Sequence, residues 1–83
     1  MNFKAAIDIM PLEALLDPQG KAVGNSMKNL GLNEIDNVRI GKHITLHIEA
    51  KDEKEAHSKV EEACEKLLVN QVMEFYSFSV EKE

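Results

Sequence analysis

Apolar and polar residues alternate from residue 2 to residue 10. Phe3, Ala5, Ile7 and Ile9 share one side, and Asn2, Lys4 and Asp8 share the other. A period of two belongs to a strand with one buried face, and Pro11 ends it. The connection PLEALLD is rich in leucine, with Leu12, Leu15 and Leu16 close together. It is expected to form a short helical turn packed under the next element, or part of an interface. The spacing then becomes helical. Asp17 suits the N-cap, and Pro18 suits the first helical position, where its missing N–H would have no partner in the helix. Ala22, Val23, Met27 and Leu30 follow as an apolar stripe, and Gly31 is the expected left-handed cap. Gly20 and Gly24 each cost a helix about 1 kcal/mol relative to alanine. Their place in the first turns implies that something comes close there, whether a strand, another subunit or a ligand.

Alternation returns over residues 37–50, where Val38, Ile40, Ile44, Leu46 and Ile48 all occupy even positions. A two-residue hairpin at Gly41-Lys42 would pair Ile40 with His43 and split the apolar residues between two faces. A three-residue loop, or one strand kinked at Gly41, keeps them on one face. Unbroken, this stretch would span about 46 Å. That exceeds what a domain of this size can cover, so the excess would project into a neighbouring subunit. The next helix is the clearest element. Asp52 and Glu55 have capping-box spacing, and Ala56, Val60, Ala63, Cys64, Leu67 and Leu68 recur at three- and four-residue steps before Asn70 ends the run. A last strand near residues 72–80 puts Tyr76, Phe78 and Val80 on one face. The order β-α-β(β)-α-β predicts an α+β fold. Its economical form is a two-layer sandwich, with two helices on one face of a mostly antiparallel sheet.

With 83 residues the chain is one domain, residues 1–83, and can bury only one thin core. Hydrophobic residues make up 43% and charged residues 30%, ordinary values for a globular domain. No apolar run approaches the roughly 20 residues of a membrane span, and the alternating start is unlike a signal peptide. A single cysteine can form no intrachain disulfide, which points to a reducing, cytoplasmic setting. Charge divides the chain. Residues 1–48 hold five acids and five bases, whereas residues 49–83 hold ten acids and five bases. An acidic half without a basic stripe argues against nucleic acid or anionic lipid as the main partner.

Candidate chemistry is sparse. Gly20-Lys21 resembles the end of a phosphate-binding loop, but the motif G-x-x-x-x-G-K-[ST] would need glycine at Leu15 and a hydroxyl residue at Ala22. His43 and His47 stand four residues apart on a strand, about 13 Å, too far to share one metal ion. His57 is alone on a helix. Cys64 lies mid-helix on the apolar stripe, far from any feature that would activate its thiol. The acidic pairs Asp52/Glu53 and Glu61/Glu62 fall on an exposed helical face. No catalytic, cofactor-binding or metal-binding residues are predicted on this chain.

The segments MPLEALLDPQGKAV, NLG, NVRIGKHI and CEKLLVN together resemble the PurS family, the small subunits of phosphoribosylformylglycinamidine synthase. The resemblance runs over essentially the whole chain. It implies a subunit of an ATP-dependent carbon–nitrogen ligase that takes its nitrogen from glutamine. That enzyme converts formylglycinamide ribonucleotide to the amidine in purine synthesis. The implied partners are a glutaminase subunit (PurQ) and a large synthetase subunit (PurL), with self-association as a dimer or tetramer. ATP and Mg would be used by the large subunit, and the small one would assemble the others and assist ammonia transfer. Asp17, Pro18, Gln19, Gly20, Lys21, Arg39, Gly41 and Lys42 are the expected interface, with self-association partly through strands near Val38–Ala50. The alternative is a stand-alone α+β module that senses a small molecule.

Overall fold

The computed structural model describes residues 1–12 and 17–83, so the expected turn or interface at Leu15 and Leu16 lies outside the described residues. Three strands, β1 (Asn2–Pro11), β2 (Lys42–Glu49) and β3 (Glu74–Lys82), form an antiparallel sheet in the order β2-β1-β3. The helices α1 (Pro18–Asn29) and α2 (Glu53–Ala63) alternate with them. Fold class, sheet type and element order are those predicted.

Register explains the core. Ile7 of β1 lies opposite Ile44 and Phe78, and Ala5 lies opposite Leu46 and Val80. The apolar sets predicted for three separate strands therefore share one face of the sheet. Helix α2 rests on that face against β1 and β3, burying Ala56 and Val60, with Cys64 just beyond its end, among Phe3, Ala5, Ile7 and Ile9. Each large side chain so buried contributes about 1.5–3 kcal/mol. The opposite face is polar at β2. His43 Nδ1 lies 2.6 Å from Asp8 Oδ1, and His47 Nδ1 lies 2.7 Å from Glu83 Oε1.

Asp52 caps α2 by accepting the Glu55 N–H at 2.8 Å. Glu55 answers by accepting from the Lys51 N–H at 3.4 Å, one residue earlier than a capping box requires. Beyond Ala63 the helix widens into a π turn, Cys64–Leu68, and the Val69 N–H donates to the Cys64 carbonyl at 3.0 Å. The wider turn changes which residues face inward. Val69 is buried and Leu68 packs on the core, while Leu67 is 82% exposed. Ordinary helical spacing places Leu67 on the buried stripe; the π turn rotates it out.

Helix α1 forms no packing with any strand comparable to that of α2. Its start sits at the sheet end where β1 finishes and β2 and β3 begin. Its termination is a Schellman motif: the Leu32 N–H donates to Met27 O and the Gly31 N–H to Lys28 O, both at 3.0 Å. Gly31 takes φ +86°, the left-handed conformation that glycine adopts without strain. Its predicted stripe is not buried within the chain; Leu30 is 77% exposed, and Leu32 and Ile35 beyond it are also exposed. The result is an elongated molecule, 52 × 26 × 14 Å, with a radius of gyration of 16.5 Å. A compact chain of this length would have about 12 Å.

The expected long strand or strand pair over residues 37–50 is instead one short strand that begins only at Lys42. Asn37 has φ +52°, which breaks an extended run, and residues 38–41 lie outside the sheet. The element that projects is a helix, α1, and not a strand.

Candidate functional site

Asp17 organises the junction between α1 and the segment leading into β2. Its Oδ1 accepts the Gly20 N–H at 3.0 Å, as an N-cap should, and its Oδ2 accepts the Ile40 N–H at 2.9 Å. One carboxylate thus joins segments 23 residues apart in sequence. Arg39 completes the junction. Its guanidinium donates to the carbonyls of Pro11 at 3.1 Å and Leu12 at 2.8 Å, and its Nε lies 3.8 Å from Asp17 Oδ2. The bonds from Gly20 and then Ile40, followed by the charge of Arg39, hold the Asp17 carboxyl below its ordinary range.

Sterics fix the same junction. A Cβ on Gly20 would overlap the Val38 carbonyl oxygen and come within 2.7 Å of Asp17 Oδ2. A Cβ on Gly41 would overlap the Ile9 carbonyl oxygen and the Met10 sulfur. The close approach implied by Gly20 is therefore made by this chain's own backbone. Gly24 differs, since a Cβ there would meet only Val38 Cγ2 at 3.7 Å.

Two clefts flank Asp17. One of about 400 Å³ runs between α1 and residues 35–39, and its lining includes Gly20, Lys21, Asn25, Lys28 and Arg39. The other, about 360 Å³, is lined by Pro18, Gln19, Gly41, Lys42 and Glu74 among others. The structure brings all eight of the residues singled out in the sequence to these two clefts. They differ in what they do there. Asp17, Gly20, Arg39 and Gly41 are engaged within the chain, whereas Pro18, Gln19 and Lys21 are exposed. Lys42 Nζ lies 3.3 Å from Glu74 Oε2. The Asn70 N–H donates to the other oxygen of Glu74 at 2.9 Å, and these two contacts, the backbone bond foremost, lower the Glu74 pKa. Glu74 was not singled out, because its partners lie in other elements and leave no local pattern.

The resemblance to a phosphate-binding loop also has a geometric answer. The Gly20 N–H is held by the Asp17 side chain, and the Lys21 N–H donates to the Asp17 carbonyl at 3.0 Å. Pro18 has no N–H. The amides that would cradle a phosphate are occupied by Asp17, whose charge is also of the wrong sign for an anion.

Elsewhere, Cys64 is buried, and burial foremost, then the charges of Glu61 and Glu65, push its thiol pKa up. No three His, Cys, Asp or Glu side chains among the described residues are grouped to hold a metal ion. His57 contacts the Phe78 ring, with centroids 4.6 Å apart. No helix among the described residues is long and apolar enough to cross a membrane.

Comparison with known proteins covers nearly the whole chain. The sequence profile of PurS, described as phosphoribosylformylglycinamidine (FGAM) synthase, matches residues 4–82. The phosphoribosylformylglycinamidine synthase subunit PurS of Bacillus subtilis is 41% identical over 80 residues, which cover 96% of this chain and 94% of that one. A crystal form of B. subtilis PurS superposes with a TM-score of 0.84 at 39% identity, covering 96% of this chain and 99% of the other. A chain in the structure of PurLQS from Thermotoga maritima matches with a TM-score of 0.88 at 34% identity, over 96% of this chain and 98% of that one.

Proposed function

The chain belongs to the PurS family, and from that premise we propose that it is the small, non-catalytic subunit of a phosphoribosylformylglycinamidine synthase. The complete enzyme would use ATP and glutamine to convert formylglycinamide ribonucleotide to formylglycinamidine ribonucleotide in the cytoplasm. ATP and Mg would be held by the synthetase subunit, and glutamine would be hydrolysed by the glutaminase subunit. This chain would join them and assist ammonia transfer between their sites. The observation that carries the reading is the match, over nearly the full length of both chains, to a component of the T. maritima PurLQS structure.

The shape of the single chain supports an assembly role. Its accessible surface is 6047 Å², whereas a compact protein of its mass would expose about 5,000 Å². The excess, about 1,000 Å², is larger than the roughly 800 Å² that each partner buries in a standard interface. The exposed stripe of α1, continued by Leu32 and Ile35, accounts for part of it. Residues 17–39 around that stripe hold three acids and three bases, so a second copy could approach without net repulsion. Strand β2 is a sheet edge, and its free backbone groups offer a second place for that copy to pair. The exposed members of the junction, Pro18, Gln19 and Lys21, together with Lys42, are the proposed contact residues.

Two measurements test the reading. Co-expression with the synthetase and glutaminase subunits of the same organism should yield a three-component complex with glutamine-dependent activity, which is lost when this chain is left out. Light scattering of the isolated chain at micromolar concentration should give at least a dimer. A stable monomer would refute the proposed self-association, and full activity without this chain would refute its role. A stand-alone sensor would instead bind no other subunit and would be stabilised by a free metabolite in a thermal-shift screen.

A further inference from the structure

A second apolar corner lies between α2 and β3, at the sheet end where α1 also starts. It comprises Leu67 on the π turn and Val72 and Met73 in the turn that follows. Leu67 and Val72 are each 82% exposed, and Met73 is 50% exposed. Neither half of the corner is loose. The π turn is closed by the Val69-to-Cys64 bond, and Gln71 Nε2 donates to the Glu65 carbonyl at 3.2 Å, folding the turn back onto the helix. The Met73 and Val72 N–H groups are held by Asn70, and the Met73 carbonyl accepts from the Leu12 N–H at 2.9 Å. A rigid turn therefore presents large apolar side chains to solvent, where each loses the stabilisation of burial. Local helix widening of this kind recurs at functional positions.

Charge says what covers the corner. Residues 61–65 hold three acids, Glu61, Glu62 and Glu65, and the base that follows, Lys66, is itself paired with Glu62 at 2.7 Å. A second copy docking here about a two-fold axis would set the same acids against each other, the arrangement that interfaces avoid. The balanced α1 end has no such obstacle. The two apolar surfaces of this chain thus differ in the charge around them.

We propose that the corner formed by Leu67, Val72 and Met73, with Glu61, Glu62 and Glu65 on the helical segment that leads into it, docks into an apolar pocket rimmed by Lys or Arg on a larger, heterologous subunit of the synthase. The proposal rests on the functional reading above. It adds which surface meets another kind of chain and which chemistry that chain presents. Leu67 and Val72 supply the apolar contact, and the acids steer the approach and fix its orientation.

The test uses the full chain and the purified synthetase and glutaminase subunits. Leu67→Ser and Val72→Ser change exposed side chains, so circular dichroism and the thermal midpoint should match those of the parent chain. Each should weaken association with the larger subunits at least tenfold in calorimetry while leaving the self-association measured by light scattering unchanged. Glu65→Lys should weaken association too, and should reduce its dependence on salt between about 0.05 and 0.5 M. Unchanged association of Leu67→Ser and Val72→Ser would overturn the proposal alone. Disruption of the homo-oligomer by either would overturn it in favour of a second copy. Failure of the parent chain to bind either subunit would overturn the functional reading itself.

Discussion

The two glycines of α1 should respond to the same substitution with opposite signs. Any Gly→Ala change inside a helix gains about 1 kcal/mol from propensity. At Gly24 little opposes that gain, because the new methyl would meet Val38 Cγ2 at 3.7 Å, an ordinary contact. Gly24→Ala should therefore stabilise by up to about 1 kcal/mol. At Gly20 the methyl would overlap the Val38 carbonyl oxygen and crowd Asp17. Backbone cannot step aside as a flexible side chain can, so the cost belongs at the upper end of the roughly 1–3 kcal/mol typical of overpacking. Set against the propensity gain, Gly20→Ala should destabilise by about 2 kcal/mol. In a domain of this size 1 kcal/mol moves the thermal midpoint by about 4–8 °C. The two variants should then lie on opposite sides of the parent chain, on the order of 15 °C apart. Thermal and urea unfolding followed by circular dichroism measure this, at one fixed protein concentration because self-association shifts the midpoint. A stabilised Gly20→Ala, or equal shifts for both, would refute the reasoning.

Cys64→Ala should lower stability by about 1 kcal/mol through the small cavity it leaves, while the assembled synthase keeps its turnover; the native thiol should also resist alkylation until urea unfolds the chain. Asp17 and Glu74 have lowered pKa values in the folded chain. Their contribution is therefore complete above the ordinary carboxylate range and is lost as pH falls through the folded values. Unfolding midpoints from about pH 6 to about pH 3 should fall less steeply in Asp17→Asn, which keeps a capping oxygen but cannot titrate. An identical slope would remove Asp17 from the account. Calorimetry of the isolated chain with MgATP should give no saturable heat, and Lys21→Ala should leave the apparent ATP affinity of the complex unchanged. Binding that disappears in Lys21→Ala would restore a nucleotide site at this helix start.

Much of the fold is legible because its signals are local. The odd-numbered apolar residues of β1, the even-numbered ones of β2 and β3, the caps at Asp17 and Asp52 and the stop at Gly31 each depend on a few neighbouring positions. The misjudged features have causes that spacing cannot carry. Periodicity marks the stripe of Val23, Met27 and Leu30 as apolar, but it does not say whether this chain or another covers it. The outward rotation of Leu67 depends on one extra residue in a helical turn, which an α-helical period cannot register. Val38 and Ile40 have strand-like parity, yet the positive φ of Asn37 and the bond from Ile40 to Asp17 hold that segment against α1. At the junction, the residue types are visible in sequence and their division of labour is not. Arg39 looks like a surface cation, but it reaches carbonyls 27 and 28 residues away.

The strand order has a consequence for how the molecule is made. β1 precedes the other two strands along the chain, yet it is the centre of the sheet, and Phe3 lies opposite Lys82 of β3. As the polypeptide leaves the ribosome, the central strand must wait for its second neighbour until residues 74–82 have emerged. Pairing at such sequence separation gives a high contact order and closes slowly. At a typical 5–20 residues per second, β1 would be paired on one side only, through β2, for a second or more. Over that interval one edge of β1 lacks backbone partners, and its Ile7 and Ile9 have no strand β3 beside them. Sequestration by a chaperone, or early capture by a sister chain, would matter most during that window.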